Sequence, residues 1–365
     1  MWKIDTTMVS KCMSVTDTFI NDFFCWAKEN NSKTREEIEE TLKNDDSSLG
    51  KVANGLTGVF ELLIKLSLYQ NIEEIYEVYT NMTADYYVFL ENGACVADIP
   101  EESLKLSEEI FKYFYETLLD RQTFWENYSN GFERFSKSIF RETITKERQV
   151  CPYCDMNLVT YNKQSNTDHF LALTYFPVLS VKWENLVVSC VVCNLYLKNA
   201  KLIGTYQGKS SYIPMLHPYF HEVAEHIRFT FDDSLNIGVI PSDVEDERAK
   251  NYCELFELES IYQGAQKIIE MTWLEIYNTI KIRFNNEQGL SDESPLEKLV
   301  RMYKEQLLIK LECFENGIGG VPYVKILIDL LRFKLSEVEM EQVIDLLAME
   351  LNIKMPFKQF INDDN

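Results

Sequence analysis

The chain has 365 residues, of which 46% are hydrophobic and 13% aromatic, so it can form two or three packed domains and is not a disordered protein. Its formal net charge of −22 argues against a general nucleic-acid-binding protein, because contacts to phosphate need Lys and Arg. Glu61 and Lys65 interrupt the longest apolar run, and the start lacks the order of a signal peptide. We therefore expect a cytoplasmic protein without membrane contact, whose nine cysteines are thiols or metal ligands.

The charge is unevenly distributed along the chain. Residues 141–210 contain eight Lys or Arg against five Asp or Glu, so this stretch is weakly basic within an acidic protein. Ordinary variation across a soluble surface would also produce such a difference. If the difference is functional, the acidic flanks would repel nucleic acid, which suggests a partner that captures the substrate.

Residues 1–145 are predicted to form a helical packing domain. Leu106, Ile110, Phe114 and Leu118 recur every four residues, which places them on one face of a packed helix. The sequence contains no Gly-rich phosphate loop and no internal repeat. A packing and docking role is therefore the preferred interpretation of this region.

The next region, residues 146–210, consists of short strand-like pieces, polar loops and pairs of cysteines. A β-hairpin connector is predicted over 211–245, because Ile227, Phe229 and Phe231 alternate before a polar turn.

Helices are predicted again over 246–365. Ser294 is the predicted N-cap of one of them, Pro295 takes its first position and Glu297 completes a capping box. The chain therefore has a small central module between two helical regions.

Two CxxC pairs mark the central module. They are Cys151 with Cys154 and Cys190 with Cys193, and thirty-five residues separate the pairs. Each pair can form a knuckle whose thiolates bind one tetrahedral zinc ion, so we expect a structural Zn²⁺ on all four. The alternative is four buried free thiols. The other five cysteines have no such partners and are predicted to be core residues: Cys12, Cys25, Cys95, Cys253 and Cys313.

A second set of side chains in the module offers oxygen and nitrogen atoms. Its members are Asp168, His169, Asn185, Asn194 and Lys198, none of which a structural zinc site needs. Carboxylate and amide oxygens are hard ligands that suit Mg²⁺ or Mn²⁺. A neighbouring imidazole could deprotonate water while the metal stabilises the charge that develops on a phosphate.

These residues, read as "CPYC", "DHF", "WENLV" and "SCVVCN" followed by a lysine, resemble the HNH endonuclease signature in its cysteine-stapled ββα-metal form. The resemblance covers about fifty residues. It implies an α+β, mainly α chain in which a central zinc-stapled ββα-metal module is flanked by helical N- and C-terminal regions.

The resemblance also implies roles for single residues. His169 would be the general base, and Asn185 would fix the loop and the imidazole. Asp168 and Asn194 would bind the catalytic divalent ion, and Lys198 would reach a phosphate of the nucleic acid. Asn194 stands where many members have histidine. The HNH domain of the CRISPR effector nucleases is similar in having asparagine there, which favours Mg²⁺ or Mn²⁺ over catalytic zinc.

Each of these residues also has an ordinary structural interpretation. His169 could be a hydrogen-bonded loop histidine, and Asn185 could simply end a turn. Asn194 could cap the start of its own helix, and Lys198 could be a solvated surface lysine.

The three other histidines, His217, His221 and His226, lie in "MLHPYFHEVAEHIRF". Pro218 biases His217 away from helical geometry, so its four-residue spacing to His221 is not evidence for a shared metal. The stretch "LHPYF" is similar to a feature of HNH proteins in bacterial antiviral defence, including Septu-type and retron-associated nucleases. We expect packing or hydrogen bonding from these histidines, with a place for His217 in the active site as the alternative.

Two functions remain open at this stage. The first is a metal-dependent endonuclease that hydrolyses phosphodiester bonds, of DNA ahead of RNA, as the effector of an antiphage system with a partner such as an ATPase. The second is a zinc-stapled docking or regulatory protein whose HNH centre is inactive. The acidic surface and the long helical flanks support the second function, whereas the retention of all the site residues opposes it.

Overall fold

The computed structural model describes residues 1–96, 100–129, 136–161, 163–287 and 293–353. The expectation of a mainly helical α+β chain is confirmed. None of the helices in these ranges has the length and apolar composition needed to cross a membrane. The chain forms two compact units, one of residues 1–223 and 245–256, and one of residues 224–244 and 257 onward.

The first unit is built mainly from helices. They are α1 Thr7–Glu29, α2 Arg35–Lys43, α3 Ser48–Gly55, α4 Thr57–Ser67, α5 Ile72–Thr83, α6 Tyr86–Glu91, α7 Glu101–Glu116, α8 Gln122–Tyr128 and α9 Lys137–Glu147. Only Val223 of the short helix α10, Val223–His226, belongs to this unit, and the chain returns to it in α11, Glu247–Leu255. The predicted stripe on α7 is confirmed, since Leu106, Ile110 and Phe114 are buried. Leu118 is buried too, in a 3₁₀ turn after the helix ends.

An aromatic core holds these helices together. The rings of Phe19 on α1 and Phe114 on α7 meet edge to face with centroids 5.1 Å apart, and Phe23 lies at the same distance from Phe114. Edge-to-face pairs of this kind add to the stabilisation from burial alone. Helices α1 and α7 thereby form a fixed platform for the loop that follows β1.

Four of the six strands in the described ranges belong to this unit. Strands β1 Ser165–His169 and β2 Leu186–Cys190 pair antiparallel, and β3 Gly204–Tyr206 and β4 Lys209–Ser211 form a second small hairpin. Between β1 and β2 runs the 170–185 loop, which contains the 3₁₀ turns Pro177–Leu179 and Trp183–Asn185. After β2 comes the π-helical segment Val192–Lys198. The order along the chain is therefore strand, long loop, strand, helix.

The second unit contains the predicted hairpin and the last helices. Strands β5 Ile227–Phe231 and β6 Ile237–Pro241 pair antiparallel, as the alternation predicted. The helices are α12 Leu258–Gln263, α13 Gln266–Asn286, α14 Pro295–Asn316, α15 Val324–Lys334 and α16 Glu337–Glu350. The capping box of α14 is confirmed, because the Ser294 hydroxyl accepts from the Glu297 amide and the Glu297 carboxylate accepts from the Ser294 amide.

The prediction that the unpaired cysteines are core residues is wrong for those that the structure describes. Cys95 and Cys313 are exposed, and Cys25 and Cys253 are only partly buried. A thiol is small, so leaving it at the surface costs little apolar burial. The side chain of Cys12 lies outside the described part of the chain.

Candidate metal centre and active site

The four cysteines of the two CxxC pairs meet in a buried cluster. The Sγ atoms of Cys151, Cys154, Cys190 and Cys193 all lie within 4.8 Å of one another. The Sγ atoms of Cys154 and Cys190 are 3.9 Å apart. A tetrahedral zinc ion with Zn–S distances of about 2.3 Å needs sulfur separations of about 3.8 Å. The cluster therefore fits a metal such as zinc, as predicted.

Backbone amides support the sulfur atoms. The amide of Cys193 donates to the Cys190 Sγ at 3.4 Å, and the amide of Cys190 donates to the Cys151 Sγ at 3.3 Å. Hydrogen bonds from the neighbouring thiols, led by Cys151, lower the pKa of the Cys190 thiol. The same bonds, led by that from Cys151, raise the pKa of Cys193, and burial raises that of Cys151, so Cys190 is the thiol that is deprotonated first.

The cluster lies at one end of the strand pair. Ser165 faces Cys190 at one end of the ladder, and His169 faces Leu186 at the other. Asp168 pairs with Val187 in the same register. Asp168 and His169 are therefore at the last two positions of β1, where the chain enters the 170–185 loop.

The Asp168 carboxylate is buried and has a partner on each oxygen. Tyr153 donates its hydroxyl to Oδ2 at 2.8 Å, and the Lys198 ammonium donates to Oδ1 at 3.0 Å. Burial raises the pKa of Asp168, against the opposing effects of Lys198 and Tyr153. The backbone of His169 also donates to this carboxylate, so Asp168 has three hydrogen-bonding partners.

The His169 imidazole is held by the loop. Its Nε2 lies 3.0 Å from the carbonyl oxygen of Ser180. A carbonyl only accepts, so Nε2 carries the proton in this bond and Nδ1 of the neutral ring keeps its lone pair. The Tyr115 ring packs against the imidazole with centroids 4.4 Å apart. Burial lowers the pKa of His169 to about 4.

Asn185 is fully buried and ties the two ends of the loop together. Its Oδ1 accepts from the Leu171 amide at 2.7 Å and from the Tyr86 hydroxyl at 2.8 Å. Its Nδ2 donates to the carbonyl oxygens of Leu171 and Leu179, at 3.1 and 3.2 Å. Leu179 precedes Ser180, so these bonds fix the carbonyl that orients His169.

Lys198 is buried and does not face solvent. Its Nζ donates to Asp168 Oδ1, to the His169 carbonyl oxygen at 2.6 Å and to the Asn199 carbonyl oxygen at 3.4 Å. An ammonium has three donors, so its hydrogen-bonding capacity is used in full. The amine thus joins the π-helical segment to the end of β1.

Asn194 lies one residue after Cys193 and is partly exposed. The segment begins at Val192 without a side-chain cap, so Asn194 is inside the helix and is not its N-cap. The Asn199 amide donates to the Asn194 carbonyl oxygen at 2.7 Å, a five-residue step that is typical of π-helical geometry.

The remaining histidines occupy different places. His217 is fully buried, accepts from the Tyr219 amide through Nδ1 at 3.2 Å and packs against Phe170 with ring centroids 4.3 Å apart. His221 accepts from the His217 amide through Nδ1 at 2.9 Å, and its Nε2 lies 3.5 Å from Glu91. His226 is the last residue of α10 and is partly buried. His217 thus packs against Phe170, the residue that follows His169.

Sequence reasoning missed four residues that contact the site: Tyr86, Tyr115, Tyr153 and Ser180. Tyr153 lies inside the first CxxC pair, so its position beside the module was available as a signal. Tyr86 and Tyr115 come from α6 and α7, and nothing local in the sequence indicates that they reach the site. Ser180 acts through its backbone carbonyl, which any residue type would supply.

Over 78 residues the chain is 33% identical to the Septu protein PtuB of Bacillus thuringiensis. The matched stretch is 21% of this chain and 27% of the relative, so the chain spans about a quarter of the length of the curated protein it matches. No family model matches the chain. No solved structure matches it either.

Proposed function

We propose that the chain is a metal-dependent endonuclease of the HNH type, with residues 146–210 as its nuclease module. His169 is the general base, Asn185 fixes the loop that orients it, and Asp168 and Asn194 bind the catalytic Mg²⁺ or Mn²⁺. The four clustered cysteines bind the structural zinc ion.

The observation that carries this proposal is the orientation of His169. The Ser180 carbonyl accepts the proton on Nε2, which leaves Nδ1 as the basic atom. The carbonyl is itself held by Asn185 through Leu179. A histidine with only a packing role would not need a loop anchored by a buried asparagine with four hydrogen bonds. Orientation of the base by a fixed acceptor is what general-base catalysis requires.

Asp168 at the end of β1 and Asn194 in the π-helical segment offer the oxygen ligands that a hard divalent ion prefers. Asp168 supplies carboxylate oxygens, and Asn194 is a partly exposed residue with an amide oxygen. A bound Mg²⁺ or Mn²⁺ would stabilise the charge on the attacked phosphate and on the departing oxygen. In the reaction, His169 Nδ1 takes a proton from the attacking water, and Asn185 keeps the ring fixed while it does so. The cysteine cluster holds the strands in register.

The substrate is a nucleic acid, with DNA placed ahead of RNA. The attacking group is water and not a sugar hydroxyl, so the reaction does not depend on the type of sugar. RNA is therefore a second substrate in the test. The sequence predicts that Lys198 contacts a phosphate, and this contact stays a prediction. Because Lys198 is buried, we expect it to affect the site through its ion pair with Asp168.

A role in antiphage defence is part of this proposal. The similarity to a Septu protein supports it, and the strongly acidic composition fits an effector that depends on a partner, such as an ATPase, to bring the substrate. A cytoplasmic location belongs to the same proposal. Copurification with the products of neighbouring genes tests the partner.

The test of the nuclease is cleavage of supercoiled plasmid and of single-stranded RNA with Mg²⁺ or Mn²⁺. We expect the wild type to cut and His169→Ala to lose the activity by at least about 100-fold, as is usual for loss of a general base. His226→Ala is the matched control, because it removes a histidine of the other unit. Equal activity of wild type and His169→Ala would reject the proposed role of His169. Inactivity of both on every substrate, with and without the copurified partner, would reject the nuclease.

The second candidate is a zinc-stapled docking protein with an inactive centre. The buried ion pair between Lys198 and Asp168 favours it, since the carboxylate already has a positive partner. Measurement of a second divalent ion beside the zinc, with and without nucleic acid, distinguishes the two candidates.

A further inference from the structure

Lys198 contributes a positive charge where the proposed function needs a divalent cation. Its Nζ is 3.0 Å from Asp168 Oδ1, and the Lys198 side chain is 1% exposed and that of Asp168 4% exposed. The buried pair is neutral as a whole. Burial leaves little solvent to screen any charge that is added.

The ammonium is also firmly placed. Besides Asp168 it donates to the carbonyl oxygens of His169 and Asn199. Moving Lys198 away would leave these acceptors without a donor in a buried place, which is unfavourable. The lysine therefore stays near Asp168 when other groups bind there.

The charges then decide how a metal binds. A divalent ion that joined Asp168 and Lys198 would give the site a net charge of about +2. A phosphodiester adds one negative charge and lowers that excess. The metal and the nucleic acid should therefore each bind better when the other is present, and such coupling is reciprocal.

From this geometry we infer that Lys198 makes metal binding at Asp168 depend on the phosphate of the substrate. The free protein then binds the catalytic metal weakly, and the complete site forms only on nucleic acid. Lys198 is a positioning residue here, because it acts through Asp168. This inference rests on the proposed function.

The experiment titrates Mn²⁺ into the zinc-loaded full-length chain and measures free Mn²⁺ by electron paramagnetic resonance. A His169→Ala background prevents cleavage, so a duplex DNA oligonucleotide can be present or absent. Asp168→Asn in the same background defines the Mn²⁺ that binds elsewhere on the acidic surface. We expect DNA to raise the Asp168-dependent affinity for Mn²⁺ by about tenfold or more, and Mn²⁺ to raise the affinity for DNA by the same factor.

The variant Lys198→Met tests the residue itself, since methionine has similar length and no charge. We expect the affinity of the DNA-free protein for Mn²⁺ to rise about tenfold and the effect of DNA to shrink. Mn²⁺ should also raise the melting temperature of Lys198→Met more than that of the parent, because the ion replaces the missing positive partner of Asp168. Lys182→Met is the matched control. Lys182 is another buried lysine, 2.8 Å from Asp17, and its loss should leave Mn²⁺ binding unchanged.

The outcomes separate the two proposals. If Asp168→Asn changes no Mn²⁺ binding with or without DNA, the metal site of the proposed function fails. If Asp168-dependent binding exists but DNA changes it by less than twofold, only the inference about Lys198 is overturned. The titration with and without DNA needs no Lys198 variant, so a variant that does not fold still leaves this result decisive.

Discussion

Asn185 and Leu171 are joined by two hydrogen bonds. The Leu171 amide donates to the Asn185 Oδ1 at 2.7 Å, and the Asn185 Nδ2 donates to the Leu171 carbonyl oxygen at 3.1 Å. The buried side chain thus pairs with the backbone as a strand neighbour would, at a place where the loop turns away from β1. This pairing closes the 170–185 loop at its base.

We expect Asn185→Ala to lower the free energy of unfolding by about 3 kcal/mol, because it leaves the Leu171 amide and the Tyr86 hydroxyl without a partner in the interior. Denaturant titration of the full chain measures the change, with near-UV circular dichroism following the aromatic core of the first unit. Asn44→Ala is the control, since this exposed asparagine makes one side-chain bond, to the Glu40 carbonyl oxygen. A loss below about 1 kcal/mol for Asn185→Ala would contradict the role of Asn185 as the closure of the loop.

The cysteine cluster predicts about one zinc ion per chain. We expect Cys190→Ala to lose that zinc and to unfold the strand pair, because the metal supplies folding free energy to so small a sheet. Elemental analysis of the purified protein measures the metal. Cys313→Ala removes an exposed thiol and should keep the zinc. Full zinc content in Cys190→Ala would show that the cluster is not the site.

The burial of His217 predicts that the stability of the first unit depends on pH. Burial, followed by the nearby His221, lowers the pKa of His217 well below its usual 6.5. The unfolded state therefore binds a proton near pH 6.5 that the folded state does not bind. The stability that depends on neutral His217 is fully present above pH 6.5. It is lost as the pH falls toward the folded pKa of His217, by up to about 1.4 kcal/mol per pH unit.

The measurement is denaturant unfolding of wild type and His217→Asn between pH 5 and 7.5, where the asparagine oxygen can still accept from the Tyr219 amide. We expect a smaller loss of stability at low pH in His217→Asn. His226→Asn changes a histidine of the other unit and serves as control. Identical pH slopes for wild type and His217→Asn would mean that His217 takes up its proton without unfolding.

The second unit contains a buried ion pair between Lys325 and Asp329, whose charged atoms are 2.9 Å apart. Asp329 also accepts from the Phe229 amide at 2.8 Å. We expect Asp329→Ala to cost about 3–5 kcal/mol, because it removes the carboxylate from a buried ion pair. The double change Lys325→Met with Asp329→Leu should recover most of that loss. Glu270→Ala, in an exposed ion pair, should change the stability by less than about 0.5 kcal/mol.

Elements set by local patterns could be predicted from the sequence. The Ser294 to Glu297 box, the β5–β6 hairpin and the buried face of α7 each depend on residues a few positions apart. The four-cysteine cluster could also be predicted, although its two halves are far apart in the chain, because CxxC pairs have few other uses.

The partners within the candidate site could not be predicted in the same way. Tyr86 and Asn185 are ninety-nine positions apart, and only the packing of α6 brings them together. Lys198 was expected to contact a phosphate or to be solvated, and its contact with Asp168 depends on the π-helical path after β2. The sequence around Lys198 alone does not distinguish a lysine that points inward from one that points to solvent.

The order in which the chain forms the first unit affects how a fragment that contains the cysteine cluster should be expressed. Helix α11 covers the cysteine knuckle from residues 247–255, since Tyr252 donates to the Tyr153 carbonyl oxygen at 2.9 Å and Phe256 stacks on the Tyr153 ring. During translation, α11 can cover Tyr153, whose hydroxyl donates to Asp168, only after the β5–β6 hairpin has been made. A clone that stops at residue 223 would expose Tyr153, whereas one that runs through residue 256 keeps the cover.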